Sequence, residues 1–292
     1  MEEIIVIVGP TGVGKTKLSV ELAKKLDAEI INGDSVAIYK ELNIGSAKPT
    51  ILERDGIVHH LIDVRSVDEE YNVFEYQKDL RKLIADISRR GKRIIVVGGT
   101  GLYIKAGLFK YDFSVGGVNK TYDDLTNEEI RDKILEYTDK VDIHINNRKR
   151  LIRLLNKYEN NEIITADKDK LLYPCCVIGL TTDRNLLYAR INTRVDNMVK
   201  NGLVEEISSM KDKYLNSRIL NSAIGYKEFY DYLYNDKDLK DVIEEIKLHS
   251  RRYAKRQYTF FRHQFDTKWF EVDFSDFSNT VEDVLNFING QC

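Results

Sequence analysis

A glycine-rich segment near the N-terminus has the residue types and the spacing that bind phosphate groups. It fits the pattern Gly-x-x-x-x-Gly-Lys-Thr and consists of Gly9, Pro10, Thr11, Gly12, Val13, Gly14, Lys15 and Thr16. Glycines let successive backbone N–H groups converge on phosphate oxygens, and a following helix N-terminus adds partial positive charge. Lys15 supplies a full charge, and the Thr16 hydroxyl is placed to hold Mg²⁺. The segment predicts a site for a phosphate-bearing ligand, such as a nucleotide or a diphosphate, and leaves the reaction open.

The flanking sequence supplies the strand and the helix that such a loop requires. A β-branched run at 3–8 predicts a buried parallel strand, and apolar spacing over 15–26 predicts a helix. Further strands are predicted at 28–32, 93–97 and 178–180, and further helices at 72–90, 186–199, 205–213 and 237–263. Strands that alternate with helices predict an α/β fold, a P-loop core in which a parallel sheet lies between two helical layers.

The character of the chain changes after residue 110. Residues 111–177 are charged, rich in Asn and Asp, and poor in strand patterns apart from a stretch at 174–177. We predict that 111–177 form a small, mainly helical insertion. Residues 1–110 and 178–292 would then form the catalytic core, with a helical C-terminal part.

Two further polar side chains are predicted at the edge of the sheet where the phosphate loop lies. Asp34 follows the second predicted strand, and Thr100 belongs to the turn at 98–101 that follows the third. Ligands of open α/β sheets bind at the carboxyl ends of the strands. A nucleotide-hydrolysing P-loop protein is expected to end this third strand with an acidic magnesium ligand. The glycines found there instead argue against ordinary ATP hydrolysis.

The bulk composition is that of a soluble globular protein, with 42% hydrophobic and 32% charged residues. The three cysteines lack zinc-binding spacing. No apolar run approaches the roughly 20 residues of a membrane span, and no signal-peptide pattern is present, so we expect a cytoplasmic monomer without a membrane partner. A net charge of −2 does not indicate a nucleic-acid binder, although local basic patches bind polyanions regardless of the total.

Seven sequence blocks together resemble the tRNA dimethylallyltransferase family, and they span nearly the whole chain. In chain order they lie at 9–16, 34–49, 59–63, 97–103, 187–195, 224–228 and 252–257. One short block can arise by accident, whereas seven in the family's order do not. The chain departs from the family at 143–147, where Ile145 and Asn147 replace an expected proline and aspartate, and about one helix of the insertion is missing.

The resemblance implies that the loop holds dimethylallyl diphosphate, assisted by Mg²⁺ at Thr16. The dimethylallyl group would pass to N6 of adenosine 37 in tRNAs that read codons beginning with U, giving N6-(dimethylallyl)adenosine and diphosphate. Asp34 would orient N6 and accept its proton, and Thr100 would contact the base or the diphosphate. Arg194 is the candidate for a further diphosphate contact, and Arg190, one helical turn earlier, is the alternative.

The resemblance also implies contact with the anticodon stem-loop of tRNA through the insertion. The implied tRNA-binding residues are Asp34, Ser35, Val36, Ala37, Thr100, Lys149, Arg150, Leu151, Ile152 and Arg153. A second basic stripe on the last long helix contains Arg251, Lys255 and Arg262, with Arg252 and Arg256 beside it. A basic run is ordinarily a solvated helix face, but the family match favours contact with RNA phosphates.

Three other functions compete with this interpretation. An isopentenyltransferase acting on free adenine nucleotides would need neither the insertion nor the basic segments. A small-molecule kinase would place ATP in the phosphate loop and would leave the other family blocks unexplained. A non-catalytic RNA-binding module would not require Lys15, Thr16, Asp34 and Thr100 to be intact.

Overall fold

The β-branched runs form a six-stranded sheet in the computed structural model, which describes residues 3–111, 113, 120–160 and 170–291. The strands are β1 (Ile4–Val8), β2 (Ala28–Asn32), β3 (His59–His60), β4 (Arg93–Val97), β5 (Cys175–Thr181) and β6 (Lys268–Glu271). They lie in the order β3-β2-β4-β1-β5-β6, and each pair of neighbours is parallel. The carboxyl end of β1, between β4 and β5, is therefore a topological switch point, where such sheets bind ligands.

Helices connect these strands and continue beyond them. They are α1 (Lys15–Leu26), α2 (Ile51–Arg54), α3 (Val73–Arg89), α4 (Gly101–Leu108), α5 (Asn127–Leu135), α6 (Arg148–Glu159), α7 (Arg184–Lys200), α8 (Leu203–Ser208), α9 (Tyr230–Tyr234), α10 (Leu239–Gln264) and α11 (Phe277–Gln291). Short 3₁₀ turns occupy Lys211–Lys213 and Lys227–Phe229. The helix predicted over 205–213 is thus wrong in extent, because the chain leaves α8 at Ser208 and tightens into a 3₁₀ turn. None of the helices in the described part of the chain is long and apolar enough to cross a membrane.

The alternation of side chains along β1 builds two hydrophobic cores. Ile4, Val6 and Val8 face one core together with buried residues of α3, α4 and α10. Ile5 and Ile7 face the other core together with α1 and α11. Since successive strand residues point to opposite faces, a fully apolar strand must be covered on both sides. The predicted three-layer α/β architecture with a parallel sheet is confirmed.

The chain divides into two compact units, each with a core of its own. One unit comprises Met1–Phe109 and Leu171–Cys292, and the other comprises Lys110–Lys170. In the second unit α5 and α6 pack around Ile130, Ile134 and Leu155. Residues 175–177, placed in the insertion by the sequence pattern, instead begin β5, because their backbone pairs with Ile4, Ile5 and Val6 of β1.

Two glycines bring the ends of β2 and β4 into direct backbone contact. A Cβ atom on Gly98 would lie 2.2 Å from the carbonyl carbon of Gly33, so only glycine fits there. The Gly33 N–H donates to the carbonyl oxygen of Val97 at 2.7 Å, and the Thr100 N–H donates to the carbonyl oxygen of Gly33 at 3.0 Å. The turns that carry Asp34 and Thr100 are thereby held side by side at one edge of the sheet.

Candidate functional site

The phosphate loop joins β1 to α1, as predicted from its flanking sequence. Gly9 has a φ of 141°, and a Cβ atom there would lie 2.5 Å from the carbonyl oxygen of Leu180. Gly14, with a φ of 100°, is the N-cap of α1, so the free N–H groups of the first helical turn follow it directly. Val13 is fully buried beneath the loop. This geometry leaves backbone donors and a helix N-terminus available for an anion.

Lys15 is folded over its own loop. Its ammonium group donates to the carbonyl oxygens of Gly9 and Pro10 at 2.9 and 2.8 Å. Burial lowers the pKa of Lys15 to about 7; the Asp34 carboxylate opposes this shift and the Arg194 guanidinium adds to it. A desolvated ammonium without an anionic partner is costly, so an incoming phosphate group would restore its full charge.

Asp34 is positioned by its own turn and by Asn32, the last residue of β2. The Asp34 N–H donates to the Asn32 side-chain oxygen at 3.0 Å, and the Asn32 amide donates to the carbonyl oxygens of Asp34 and Leu61 at 2.8 and 2.9 Å. One carboxylate oxygen, Oδ1, accepts the Val36 N–H at 2.9 Å. The carboxylate lines the cavities described below, with a fixed orientation suited to accepting a proton.

Thr100 and Ser35 link the two glycine-bearing turns. The Ser35 N–H donates to Thr100 Oγ1 at 3.0 Å, and the Thr100 hydroxyl donates to Ser35 Oγ at 3.2 Å. Thr100 is the N-cap residue of α4, and its side chain makes no capping bond to that helix. Its hydroxyl therefore serves the neighbouring turn rather than its own helix.

Two arginines of α7 reach the phosphate loop in different ways. Arg194 donates to the Thr11 hydroxyl at 2.9 Å and to the carbonyl oxygen of Ala47 at 3.3 Å, and burial lowers its pKa against the opposing field of Asp34. Arg190 is exposed, donates to the carbonyl oxygen of Gly12 at 3.2 Å, and lies 3.7 Å from the ring centre of Phe274. Arg194 is thus the more deeply placed cation.

Two residues of α10 belong to the site although the sequence patterns assigned them no role. Buried Gln257 accepts the Thr11 N–H at 2.9 Å and donates to the carbonyl oxygen of Gly99 at 3.0 Å, which joins the phosphate loop to the turn after β4. The Tyr253 hydroxyl donates to the same oxygen at 3.3 Å, and burial together with Asp34 raises its pKa to about 12. Their i, i+4 spacing within the 252–257 block places both on one face of the helix.

Two cavities of the larger unit lie beside the phosphate loop and share part of their lining. One has a volume of about 940 Å³ and is lined by the phosphate loop, and the other has a volume of about 320 Å³. Both are lined by Thr11, Lys15, Asp34, Ser46, Ala47 and Arg194. Ser35, Val36 and Tyr253 line the smaller cavity, whereas buried Ala37 lines the larger one. The Asp34 carboxylate and two cations, Lys15 and Arg194, therefore lie where ligands in the two cavities can approach each other.

The metal-binding capacity of the site rests on few protein atoms. Thr16, the second residue of α1, is exposed and lines the larger cavity. Within the described residues, no group of three or more His, Cys, Asp or Glu side chains is arranged to hold a metal ion. A magnesium ion bound mainly by phosphate oxygens and water, with one hydroxyl from the chain, fits this donor set.

The basic segment of α6 lies in the second unit. Lys149, Arg150 and Arg153 are exposed, and Ile152 is half-buried against the core of that unit. Leu151 is fully buried in the same core, so its side chain is not available for the tRNA contact that the family resemblance implied. The helical period explains the difference, because Leu151 and Leu155 form the inward stripe that α6 needs to pack on α5.

The sequence of this chain is similar to those of known proteins. The family described as IPP transferase matches residues 37–264. The tRNA dimethylallyltransferases of Anoxybacillus flavithermus and Geobacillus thermodenitrificans are 43% and 44% identical over 302 and 306 residues, each match covering 99% of this chain and 97% of the relative.

Solved structures resemble the whole chain as well. The tRNA isopentenylpyrophosphate transferase from Bacillus halodurans has a TM-score of 0.77 at 39% identity and covers 99% of this chain and 96% of its own. A eukaryotic dimethylallyltransferase acting on tRNA has a TM-score of 0.84 at 27% identity and covers 100% of this chain and 81% of its own.

We expect Gln257→Met to lower the free energy of unfolding by about 1–3 kcal/mol, because the Thr11 N–H and the Gly99 carbonyl would lose a buried partner. Urea denaturation measures the change. Lys240→Met, at an exposed position of the same helix, is the control and should change stability by less than about 0.5 kcal/mol. Equal effects of the two substitutions would contradict the bridging role of Gln257.

We expect the affinity of the wild type for inorganic diphosphate, divided by the affinity of Lys15→Arg, to fall as the pH rises above about 7. Below this pH Lys15 is already charged, whereas above it the amine must gain a proton when the anion binds. The ratio of the two affinities should fall by up to about tenfold per pH unit. Calorimetric titration from about one pH unit below the pKa of Lys15 to about one unit above it measures this ratio. A ratio that stays constant with pH would show that Lys15 binds without proton uptake.

Proposed function

The chain belongs to the IPP transferase family, and from this membership we propose that it transfers a dimethylallyl group from dimethylallyl diphosphate to N6 of an adenosine in tRNA. The observation that carries the proposal is the position of Asp34. Its carboxylate lies where the two cavities meet, beside Lys15 and Arg194. Donors for a leaving anion and an acceptor for a proton are thereby available at one point, as an alkylation of a weakly basic amine requires.

We assign the diphosphate to the larger cavity, because Gly12, Gly14 and Thr16 line that cavity. During the reaction the bond between C1 of the dimethylallyl group and the diphosphate oxygen breaks, and both electrons leave with the diphosphate. Backbone N–H groups of the loop, Lys15 and Arg194 stabilise the charge that develops on the leaving oxygen. Lys15 contributes most when protonated, which the bound anion favours.

We assign the adenine to the smaller cavity, beside Ser35 and Val36. A bond forms between N6 and C1 as the allylic bond breaks, and N6 loses a proton. Asp34 accepts this proton; its Oδ1 atom is held by the Val36 N–H, so the carboxylate keeps one orientation. Thr100 fixes the turn that carries Ser35, and Ser35 lines this cavity.

Magnesium is the metal that fits this chemistry. Thr16 would hold Mg²⁺, which would supply positive charge to offset the charge that develops on the leaving group. The exposed hydroxyl of Thr16 supports this assignment. The remaining ligands would come from the diphosphate and from water, as magnesium prefers.

We further propose that the acceptor is adenosine 37 in tRNAs that read codons beginning with U, and that the second unit contacts the anticodon stem-loop. A base in a stacked loop must be extruded to reach a carboxylate between two cavities. The exposed cations Lys149, Arg150 and Arg153 support contact with phosphates. Half-buried Ile152 would add an apolar contact. On α10, the exposed side chains of Arg252, Lys255, Arg256 and Arg262 are further cations that can bind RNA phosphates.

The experiment that tests the function supplies two acceptors. The full chain, Mg²⁺ and dimethylallyl diphosphate are incubated with unmodified tRNA carrying A36-A37-A38 or with AMP, and the products are analysed by mass spectrometry. We expect the dimethylallyl mass on A37 of the tRNA and unmodified AMP. Prenylated AMP with unmodified tRNA would overturn the proposal in favour of an enzyme of free nucleotides. In a parallel reaction with ATP in place of dimethylallyl diphosphate, phosphoryl transfer would indicate a kinase.

We expect Asp34→Asn to lower the turnover number by about 10²–10⁴, because the amide cannot accept the proton from N6. Its affinity for tRNA should stay within about twofold of the wild type, since the amide occupies the same volume and exchanges no phosphate contact. Single-turnover kinetics and filter binding measure the two quantities. An equal loss of binding and turnover would contradict the role of general base.

We expect Arg150→Gln combined with Arg153→Gln to weaken tRNA binding at low salt and to reduce the slope of log K against log salt by roughly 1.5–2. Fewer counterions are released when two phosphate contacts are lost. The charge-matched control combines Lys82→Gln with Arg89→Gln, two exposed residues of α3. An unchanged slope in the first variant, or an equal change in the control, would show that α6 does not contact the phosphates.

A further inference from the structure

One loop of the larger unit contacts the guanidinium of Arg194. We call residues 43–47 the Arg194 loop, because the carbonyl oxygen of Ala47 accepts from Arg194 Nη2 at 3.3 Å. The other terminal nitrogen, Nη1, donates to the Thr11 hydroxyl of the phosphate loop at 2.9 Å. The planar guanidinium has its donors in fixed directions, so a shift of the Ala47 carbonyl would turn the group away from Thr11.

A single carboxylate on α8 holds the start of this loop. Glu206 accepts the backbone N–H groups of Asn43, Ile44 and Gly45 at 3.0, 2.8 and 3.3 Å. The hydroxyl of Tyr226 donates to the same carboxylate at 2.8 Å. Four donors therefore converge on Glu206, and hydrogen bonds to a charged acceptor are stronger than those between neutral groups.

Tyr226 completes the support of this loop. Its hydroxyl accepts the Ser46 N–H at 3.2 Å, so that every backbone N–H from 43 to 46 is held by either Glu206 or Tyr226. The Tyr226 side chain is fully buried, and a Cβ atom on Gly45 would lie 2.7 Å from its ring. The backbone of the loop thus packs directly on the Tyr226 ring and cannot move closer to it.

We propose that Glu206 is a positioning residue for the diphosphate site, which it supports by fixing the Arg194 loop and through it the guanidinium of Arg194. This inference rests on the proposed function, in which Arg194 stabilises the diphosphate. It gives a role to the part of the 34–49 block that forms the Arg194 loop and to the 224–228 block, which contains Tyr226. Glu206 lines neither cavity, so it acts on the diphosphate through the loop and Arg194.

Substitution at Glu206 separates this role from a general effect on folding. In Glu206→Gln, the amide nitrogen would face N–H donors in place of one carboxylate oxygen, so the loop would lose part of its support. We expect inorganic diphosphate to bind about tenfold more weakly, as when one charged hydrogen bond is misplaced. Tyr226→Phe, which removes the hydroxyl that connects Glu206 to Ser46, should act in the same direction. Glu205→Gln, at the exposed neighbouring position, is the control.

A double-mutant cycle tests whether Glu206 acts through Arg194. In an Arg194→Met background, Glu206→Gln should weaken diphosphate binding by less than about twofold, because the group that it positions is gone. Calorimetric titration of the full chain with inorganic diphosphate and Mg²⁺ measures all four affinities, and thermal unfolding shows whether each variant is folded. If Glu206→Gln weakened diphosphate binding by the same factor in the wild-type and Arg194→Met backgrounds, the inference would be overturned and Glu206 would stabilise the fold only.

The binding readout and the transfer assay distinguish the two claims. Unchanged diphosphate affinity in folded Glu206→Gln and Tyr226→Phe would overturn the role of Glu206 while leaving prenyl transfer intact. Prenyl transfer to AMP instead of tRNA, with the non-additive loss of diphosphate affinity preserved, would overturn the proposed acceptor and support the inference. In the transfer assay, Glu206→Gln should lower kcat and leave the KM for tRNA within about twofold of the wild type.

Discussion

Lys15 and Arg194 lie in the electrostatic field of Asp34, in a region largely withdrawn from water. Burial lowers the pKa of both cations, and the carboxylate opposes that shift in each case. Desolvated charges interact strongly, so the placement of each of these three groups constrains the other two. A diphosphate group entering the larger cavity would restore the charge of Lys15 and pair with Arg194, which couples the binding of the donor to the state of the site.

The site is assembled from distant parts of the chain that the parallel sheet brings to one edge. The phosphate loop, Asp34 and Thr100 follow β1, β2 and β4, and the direct contact of Gly33 with Gly98 sets their spacing. The C-terminal helices then close the site. Arg194 of α7 reaches Thr11, and Gln257 of α10 ties Thr11 to Gly99. The helical C-terminal part consequently contributes residues to the candidate site.

The main strands and the phosphate loop could be predicted from the sequence, because the patterns that indicate them are local. Strands at 4–8, 28–32 and 93–97 are apolar runs that only a covered sheet can bury, and the loop at Gly9–Thr16 carries its chemistry in its spacing. Short elements were missed, since β3 and β6, of two and four residues, are too short for periodicity to reveal them. Leu151 was misassigned because a block of cations draws attention to a segment, whereas the helical period decides which of its residues point inward.

The sequence by itself determined the α/β class and the family and predicted the phosphate site, because each depends on residue type at short fixed spacing. Only the tertiary structure decided which residues complete the site. Gln257 lies 246 positions from Thr11, and Glu206 lies about 160 positions from the loop that it holds. No spacing rule connects positions so far apart, because their contacts exist only after the sheet and the two helical layers have packed together.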